Sequence, residues 1–258
     1  MERLTIVKVG GEIIRIPEVR DSFLKDFSII AGYKILVHGG GSMLTELARN
    51  LDIETQMIDG RRVTTEKILK LAVMVYAGLI NKEIVVGLQA LGVDALGFTG
   101  ADANIICSEK RPIRDSIDYG LVGDIQEINV QLLNEFLNKG HTPIFAPITH
   151  NGGGQLLNTN ADSIAGELAK VLVYDYNVRL VYCFDKKGVL YDEGDENSFI
   201  SVLSYADFQR YKENGIIGGG MLPKLDSAFN ALSAGVKEVI ITCASNIKHT
   251  GSGTHLKL

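Results

Sequence analysis

The sequence predicts an α/β protein with a mostly parallel central sheet sandwiched by helices on both faces, arranged as two lobes. Three observations predict it. Short apolar, β-rich runs alternate with helical stretches along the chain, glycine clusters fall where strands end, and 46% hydrophobic against 22% charged residues over 258 positions can bury a large core. In order, strands are expected at residues 4–9, 34–37, 142–146, 179–184 and 238–242, each a short apolar run bounded by turn residues. Helices are expected at 43–50 and 163–172, and from Pro223 to Ala234, with the longest covering 64–91. In that longest stretch Ile68, Leu71, Ala72, Val75, Leu79, Ile84, Leu88 and Leu91 recur at helical spacing and mark one broad face. Residues 92–124 break the rhythm, and their β-like pieces at 95–98, 104–107 and 121–125 read as a small hairpin layer. The turn Asn151-Gly152-Gly153-Gly154 precedes a fresh strand–helix series, so the lobes are expected to divide as residues 1–172 and 173–258.

Composition removes several classes of function. A net charge of −5 leaves no basic field for nucleic acid or anionic lipid. No uninterrupted apolar run reaches the roughly 18–20 residues of a membrane span, and Met1-Glu2-Arg3-Leu4 lacks the layout of a secretory leader. The three cysteines, Cys107, Cys183 and Cys243, form no CxxC and cannot all pair, which points to a reducing cytoplasm. His38, His141, His150, His249 and His255 share no metal-ligand spacing, so structural roles are expected for them.

The chemistry lies in the glycines. The first strand ends in Lys8-Val9-Gly10-Gly11, and the second ends in His38-Gly39-Gly40-Gly41-Ser42 and runs directly into a helix. Glycine at a strand's carboxyl end lets backbone approach a ligand and presents amide donors, and the following helix N-terminus adds partial positive charge. Ligands of open α/β sheets bind outside these strand ends. There is no GxxxxGK[ST] and no GxGxxG with a following acidic residue, so P-loop and nicotinamide chemistry are poor fits. Asn158-Thr159-Asn160-Ala161-Asp162 precedes an apolar helix; Asn160 can cap it, and Asp162 falls in its first turn. Gly218-Gly219-Gly220-Met221-Leu222-Pro223-Lys224 places a lysine near another helix N-terminus, against the dipole, which is reasonable if an anion arrives to meet it.

Taken in order with Gly60-Arg61-Arg62-Val63-Thr64, these segments resemble the amino-acid kinase family over nearly the whole chain. The Arg-Val-Thr and Asn-x-Asn-Ala-Asp pieces resemble the branch that phosphorylates N-acylated glutamate, rather than its carbamate, aspartate or uridylate relatives. The resemblance implies a carbamate-kinase-like fold and transfer of the ATP γ-phosphoryl group to a side-chain carboxylate, in arginine synthesis. It implies that Lys8 and Lys224 supply charge to the migrating group and that Asp162 holds both. Gly10, Gly11, Gly40 and Gly41 would offer amide donors, while Arg62 and Asn158 grip the acceptor. The nucleotide would rest against Asp185, Gly188, Gly218, Gly220 and Lys224, with Mg²⁺ bound through the ATP phosphates. A homodimer built on the long helix is implied. Strand one begins within the first residues, where arginine-inhibited hexameric relatives carry an extra helix, so neither hexamer nor arginine feedback is expected. One departure stands out: the family usually has a small hydroxyl residue before the aspartate of the nucleotide loop, and this chain has Phe184-Asp185-Lys186-Lys187. A non-catalytic sensor of the same fold, or a kinase for another carboxylate or carbamate, remains an alternative.

Overall fold

The computed structural model describes every residue except 59, 193, 196, 197, 249 and 250, so His249 lies outside the described residues. The strands are β1 (Arg3–Val9), β2 (Tyr33–His38), β3 (Met57–Ile58), β4 (Arg61–Arg62), β5 (Ala95–Phe98), β6 (Ile106–Lys110), β7 (Gly123–Ile128), β8 (Thr142–Phe145), β9 (Ile148–His150), β10 (Leu156–Asn158), β11 (Asn177–Phe184), β12 (Val202–Ser204), β13 (Glu238–Cys243) and β14 (Thr254–Lys257). The helices are α1 (Gly11–Arg15), α2 (Pro17–Ser28), α3 (Gly41–Asn50), α4 (Glu66–Ala72), α5 (Asn81–Ala90), α6 (Val130–Asn138), α7 (Ala161–Leu172), α8 (Tyr205–Glu213) and α9 (Leu222–Ser233). An eight-stranded sheet runs β12-β14-β13-β11-β1-β2-β8-β5. Its pairings are parallel except that between β13 and β14.

Because side chains alternate across a strand, the sheet has two apolar faces. Leu4, Ile6, Val37, Leu180, Tyr182 and Phe184 point into one core with α6, α7, α8 and α9. Val7, Val9, Leu36, Val181 and Cys183 point into the other with α1, α2, α3 and the long helix. The result is the three-layer sandwich that strand–helix alternation implies.

The small layer differs from its expectation in two respects: residues 95–98 leave it, and β9 and β10, from beyond residue 124, join it. Ala95–Phe98 is not part of it but is the edge strand of the main sheet, parallel to β8. A four-residue apolar run between turn signals does not say which sheet it joins. The layer itself is a second sheet, β10-β9-β6-β7, built on the antiparallel pairs β6–β7 and β9–β10.

The long helix is continuous, but its middle, Val73–Ile80, is wound as a π-helix. By length and mean hydropathy Glu66–Ala90 would suit a membrane span. Its Leu71, Ala72, Val75, Tyr76, Ile80, Ile84 and Leu88 are instead buried in the core. Leu79 and Leu91, expected on that face, are 49% and 39% exposed. The wider winding sits where the helix presses on the second glycine turn: a Cβ at Gly40 would lie 2.5 Å from Ile80 Cδ1 and 2.8 Å from Tyr76 Cδ1.

His38, fully buried at the end of β2, ties the sheet to this helix. Its Nδ1 lies 2.9 Å from the Gly39 carbonyl and its Nε2 3.3 Å from Asn81 Nδ2, which also donates to the Ile144 carbonyl at 2.9 Å. The Asn81 amide donates, so Nε2 accepts and Nδ1 carries the proton, in a neutral ring. Burial pushes its pKa down to about 4, opposed by the Gly39 carbonyl and reinforced by Lys82. The unfolded chain takes up this proton near the ordinary histidine value, whereas the folded chain does so only near the depressed one. Stability therefore falls on acidification from about pH 6.5 to about pH 4, by about 3 kcal/mol through this residue, and is flat from this source above and below that window. Urea unfolding at stepped pH should show this slope in the parent chain and a slope shallower by that amount in His38→Gln.

Candidate active site

Parallel pairing puts the carboxyl ends of β1, β2, β11 and β13 on one edge of the sheet. Lys8, the glycine turn 39–41, Phe184 and Asp185 therefore meet there. The two N-terminal glycine turns pack against each other. A Cβ on Gly11 would lie 2.9 Å from the Gly40 nitrogen, and Gly39 N–H donates to the Val9 carbonyl at 2.9 Å. Only glycine allows this approach. Gly11 and Gly41 are the first residues of α1 and α3, whose amides have no acceptor within the helix. Gly10 is different. Its N–H donates to the Cys183 carbonyl at 3.0 Å, so the expected phosphate donor is committed to holding β1 against β11.

Lys8 and Asp162 are both buried and form an ion pair, Nζ to Oδ1 2.8 Å. Asp162 is placed by the helix cap: Asn160 Oδ1 accepts from the amides of Asp162 (2.7 Å) and Ser163 (3.2 Å), so the capping role expected of Asn160 is present. Lys224 enters from α9. Gly166, one turn beyond Asp162, lets the two helices come close: a Cβ there would lie 2.9 Å from Ser227 Oγ and 3.3 Å from Tyr182 Oη. Ser227 is one turn beyond Lys224, so this contact sets Asp162 and Lys224 beside each other.

Both ammonium groups lie over the Phe184 ring, Lys8 Nζ at 4.9 Å and Lys224 Nζ at 4.0 Å from its centroid. The ring is itself stacked on Tyr182, two residues back on the same strand face, with centroids 6.3 Å apart and planes at 3°. Burial holds the Lys224 pKa below the ordinary lysine value; Asp162 opposes that shift, Lys8 adds to it, and Asp185 opposes it. The two lysines thus feel each other, and the carboxylate of Asp162, in contact with Lys8, acts on both.

Arg62 and Asn158 line one open pocket with Gly40, Gly41, Tyr76 and Arg111. The β3–β4 hairpin carries Arg62, and Asn158 ends β10. The two are laced together through Thr64: Asn158 Nδ2 donates to Thr64 Oγ1 at 3.0 Å, and Thr64 Oγ1 donates to the Arg62 carbonyl at 3.1 Å. Arg62 Nη2 donates to the Gly41 carbonyl at 3.0 Å and to Thr45 Oγ1 at 2.7 Å. Its Nη1 is buried and has no partner among the described residues, as suits a guanidinium awaiting an anion. Burial raises the Tyr76 hydroxyl to about 12, so it stands in this pocket as a neutral donor, with Arg62 opposing the shift. Arg111 was not legible as a pocket residue: it sits in an irregular loop, held by Asp124 at 2.6 Å.

Asp185, Gly188 and Gly218 line a second pocket with Val189, Leu190, Ile216, Ile217 and Met221. Gly220 follows in the turn before α9, and Gly218, Gly219 and Gly220 all face open space. An apolar slot ending in an open glycine turn and a lysine fits a nucleotide base followed by phosphates. Asp162 directly follows the lining of the first pocket and Phe184 directly precedes that of the second, so the residues that touch the two lysines adjoin both pockets.

Cations and helix N-termini gathered between an arginine-floored pocket and an apolar slot define a phosphoryl-handling α/β protein. The chain belongs to the amino acid kinase family, whose model matches residues 3–243. A protein of Azobacteroides pseudotrichonymphae genomovar. CFP2 named acetylglutamate kinase is 99% identical over 258 residues, 100% of each chain. One of the same name from Bacteroides fragilis (strain YCH46) is 53% identical over 256 residues, 99% of this chain and 97% of that one. Among solved structures, N-acetylglutamate synthase from Neisseria gonorrhoeae, complexed with coenzyme A and N-acetyl-glutamate, has a TM-score of 0.85 at 21% identity, covering 99% of this chain and 59% of that one. Carbamate kinase from Giardia lamblia bound to AMP-PNP has a TM-score of 0.71 at 14% identity, covering 99% and 98%. These last two likenesses speak to the fold.

A buried ion pair is costly to break and often neutral to replace as a whole. Asp162→Ala should therefore lower unfolding stability by about 3 kcal/mol, while Lys8→Met with Asp162→Leu recovers most of it. Denaturant unfolding of the three proteins checks this; equal stability of the single and double variants contradicts it.

Proposed function

We propose that this chain is an acetylglutamate kinase, transferring the γ-phosphoryl group of ATP to the side-chain carboxylate of N-acetyl-L-glutamate in arginine biosynthesis. The observation that carries the reading is the pair of lysines around Asp162, set between an arginine-bearing pocket and an apolar nucleotide slot. Full-length identity to relatives of that name supports the acceptor.

The acceptor carboxylate is ionised at neutral pH, so no general base is needed. One of its oxygens forms a bond to the γ-phosphorus as the bond to the β–γ bridging oxygen breaks; ADP leaves and an acyl phosphate remains. The barrier is electrostatic: two unit charges about 4 Å apart repel by roughly 4 kcal/mol at an effective dielectric of 20. The chain answers with alignment and fixed positive charge. Arg62 and Asn158 hold the acylglutamate, and Nη1 of Arg62 supplies a free donor to its α-carboxylate. The Gly11, Gly40 and Gly41 amides and the ammonium groups of Lys8 and Lys224 face the group in transit. Asp162 orients the lysines. Mg²⁺ would neutralise the β- and γ-phosphates and be held mainly by them.

We assign acceptor binding and dimerisation to residues 1–172 and nucleotide binding to residues 173–258. Met74, Leu79 and Val86 expose 49–63% of their surface along the long helix, which suits an isologous homodimer contact. A cytoplasmic location accords with three unpaired cysteines.

Purified protein with ATP and Mg²⁺ should release ADP only when N-acetylglutamate is added. Lys8→Ala and Lys224→Ala should each lower kcat by roughly 10²–10³. In a panel with N-succinylglutamate, glutamate, aspartate and bicarbonate plus ammonia, the acylated glutamates should be preferred. Turnover restricted to another acceptor, or none, overturns the reading.

A further inference from the structure

Lys8 and Lys224 present two positive charges with one contacting carboxylate between them. Asp162 is paired with Lys8 at 2.8 Å, whereas no ion pair of 4.0 Å or less joins Lys224 to a carboxylate among the described residues. Before substrates bind, Lys224 thus has a repelling neighbour in Lys8 and a costly half-buried position. Something must favour that position over an extended, solvated side chain. Asp162 and Asp185 attract the Lys224 ammonium from further than an ion-pair contact, and the Phe184 ring lies directly against it, its centroid 4.0 Å from Lys224 Nζ and 4.9 Å from Lys8 Nζ. The ring is well fixed: it is buried, ends β11, and is stacked on Tyr182, whose hydroxyl reaches the Asp162 carbonyl at 3.3 Å and Ser227 Oγ at 3.4 Å. The ring, the first turn of α7 and α9 are therefore one connected unit.

We infer that Phe184 is a positioning residue for phosphoryl transfer, its π-face holding the ammonium of Lys224 beside that of Lys8 until the phosphoryl group arrives. The physical reason for an aromatic face is that it attracts a cation without a directed lone pair. All three ammonium protons stay available, so the incoming phosphoryl oxygens need not displace a hydrogen-bonded side-chain acceptor. A preorganised cation that does not reorganise at the moment of reaction is the form of electrostatic catalysis that contributes most. The inference rests on the phosphoryl-transfer reading for its effect on rate, but the placement itself can be tested without turnover.

The charged groups around the Lys224 ammonium are Lys8 from β1, Asp162 from α7 and Asp185 from the loop after β11. Because the ring favours the charged form, removing it should lower the pH at which Lys224 loses its proton. The test uses the full chain carrying Phe184→Leu, which keeps apolar bulk and loses the ring face, and Phe184→Tyr, which keeps the face. Phe184→Leu should lower kcat about tenfold with the acceptor KM within about twofold, and should move the alkaline limb of the rate profile to lower pH; Phe184→Tyr should restore both. In parallel, lysine ¹³Cε–¹Hε spectra, assigned with Lys8→Arg and Lys224→Arg, should place both methylene signals upfield in the unsubstituted chain through the ring current. Both should return toward ordinary positions in Phe184→Leu. Ordinary Lys224 shifts in the unsubstituted chain overturn the inference, as does a Phe184→Leu enzyme with unchanged kcat and alkaline limb. If Phe184→Leu does not fold, the unsubstituted chain's spectrum and the Phe184→Tyr kinetics still decide. Absence of acceptor-dependent turnover in the unsubstituted enzyme would overturn the kinase reading, while upfield lysine signals would still support the placement.

Discussion

Two like charges held close together at the edge of a sheet dominate this structure. An ammonium pair with one contacting carboxylate is unfavourable in isolation, and more so where water is partly excluded. On the proposed function, the complement of that imbalance is a more highly charged visitor, the polyphosphate of a nucleotide. Much of the surrounding architecture can be understood as keeping the two lysines adjacent while the visitor is absent. Asp162 holds Lys8 directly, the Asn160 cap orients the first turn of α7, and Phe184 lies beneath both amines.

Backbone economy serves the same end. A parallel sheet brings the ends of β1 and β11 to one edge although their sequences are far apart. Glycines then decide how closely the layers approach. Gly11 and Gly40 let two turns nest, and Gly166 lets α9 come near enough to α7 for Lys224 to join the site. A side chain at any of these positions would act at a distance, by separating elements rather than by removing a functional group. The buried, neutral His38 has a comparable indirect role, tethering β2 to the long helix through Asn81.

The parts legible in the sequence are those in which local pattern and tertiary role coincide. Strand ends followed by glycine clusters mark a ligand edge in any open α/β sheet, so Lys8 and the turn at 39–41 could be singled out from residue order alone, and Lys224 stood out as a cation set against the dipole at a helix N-terminus. The Asn160 cap was legible for the same reason. What was hidden depends on distant partners. Gly10 looks like its neighbour Gly11, but only the sheet pairing reveals that its amide is taken by Cys183. Residues 95–98 carry a strand signal with no indication of which sheet they complete. β12 and β14 are three and four residues long, too short for periodicity to register. Phe184 appeared in the sequence as an oddity of a nucleotide loop; its ring has a role only once β1 and α9 are brought over it.

The central claim is that both amines engage the same migrating group. A crystal structure of the chain with ADP, Mg²⁺, aluminium fluoride and N-acetylglutamate tests it most directly, because the planar fluoride stands in for the phosphoryl group midway in transfer. The account predicts Nζ of Lys8 and Nζ of Lys224 each within about 3 Å of a fluoride, with Asp162 still touching Lys8. A complex in which either amine turned away from the fluoride, or in which the fluoride bound outside the carboxyl edge of the sheet, would contradict it.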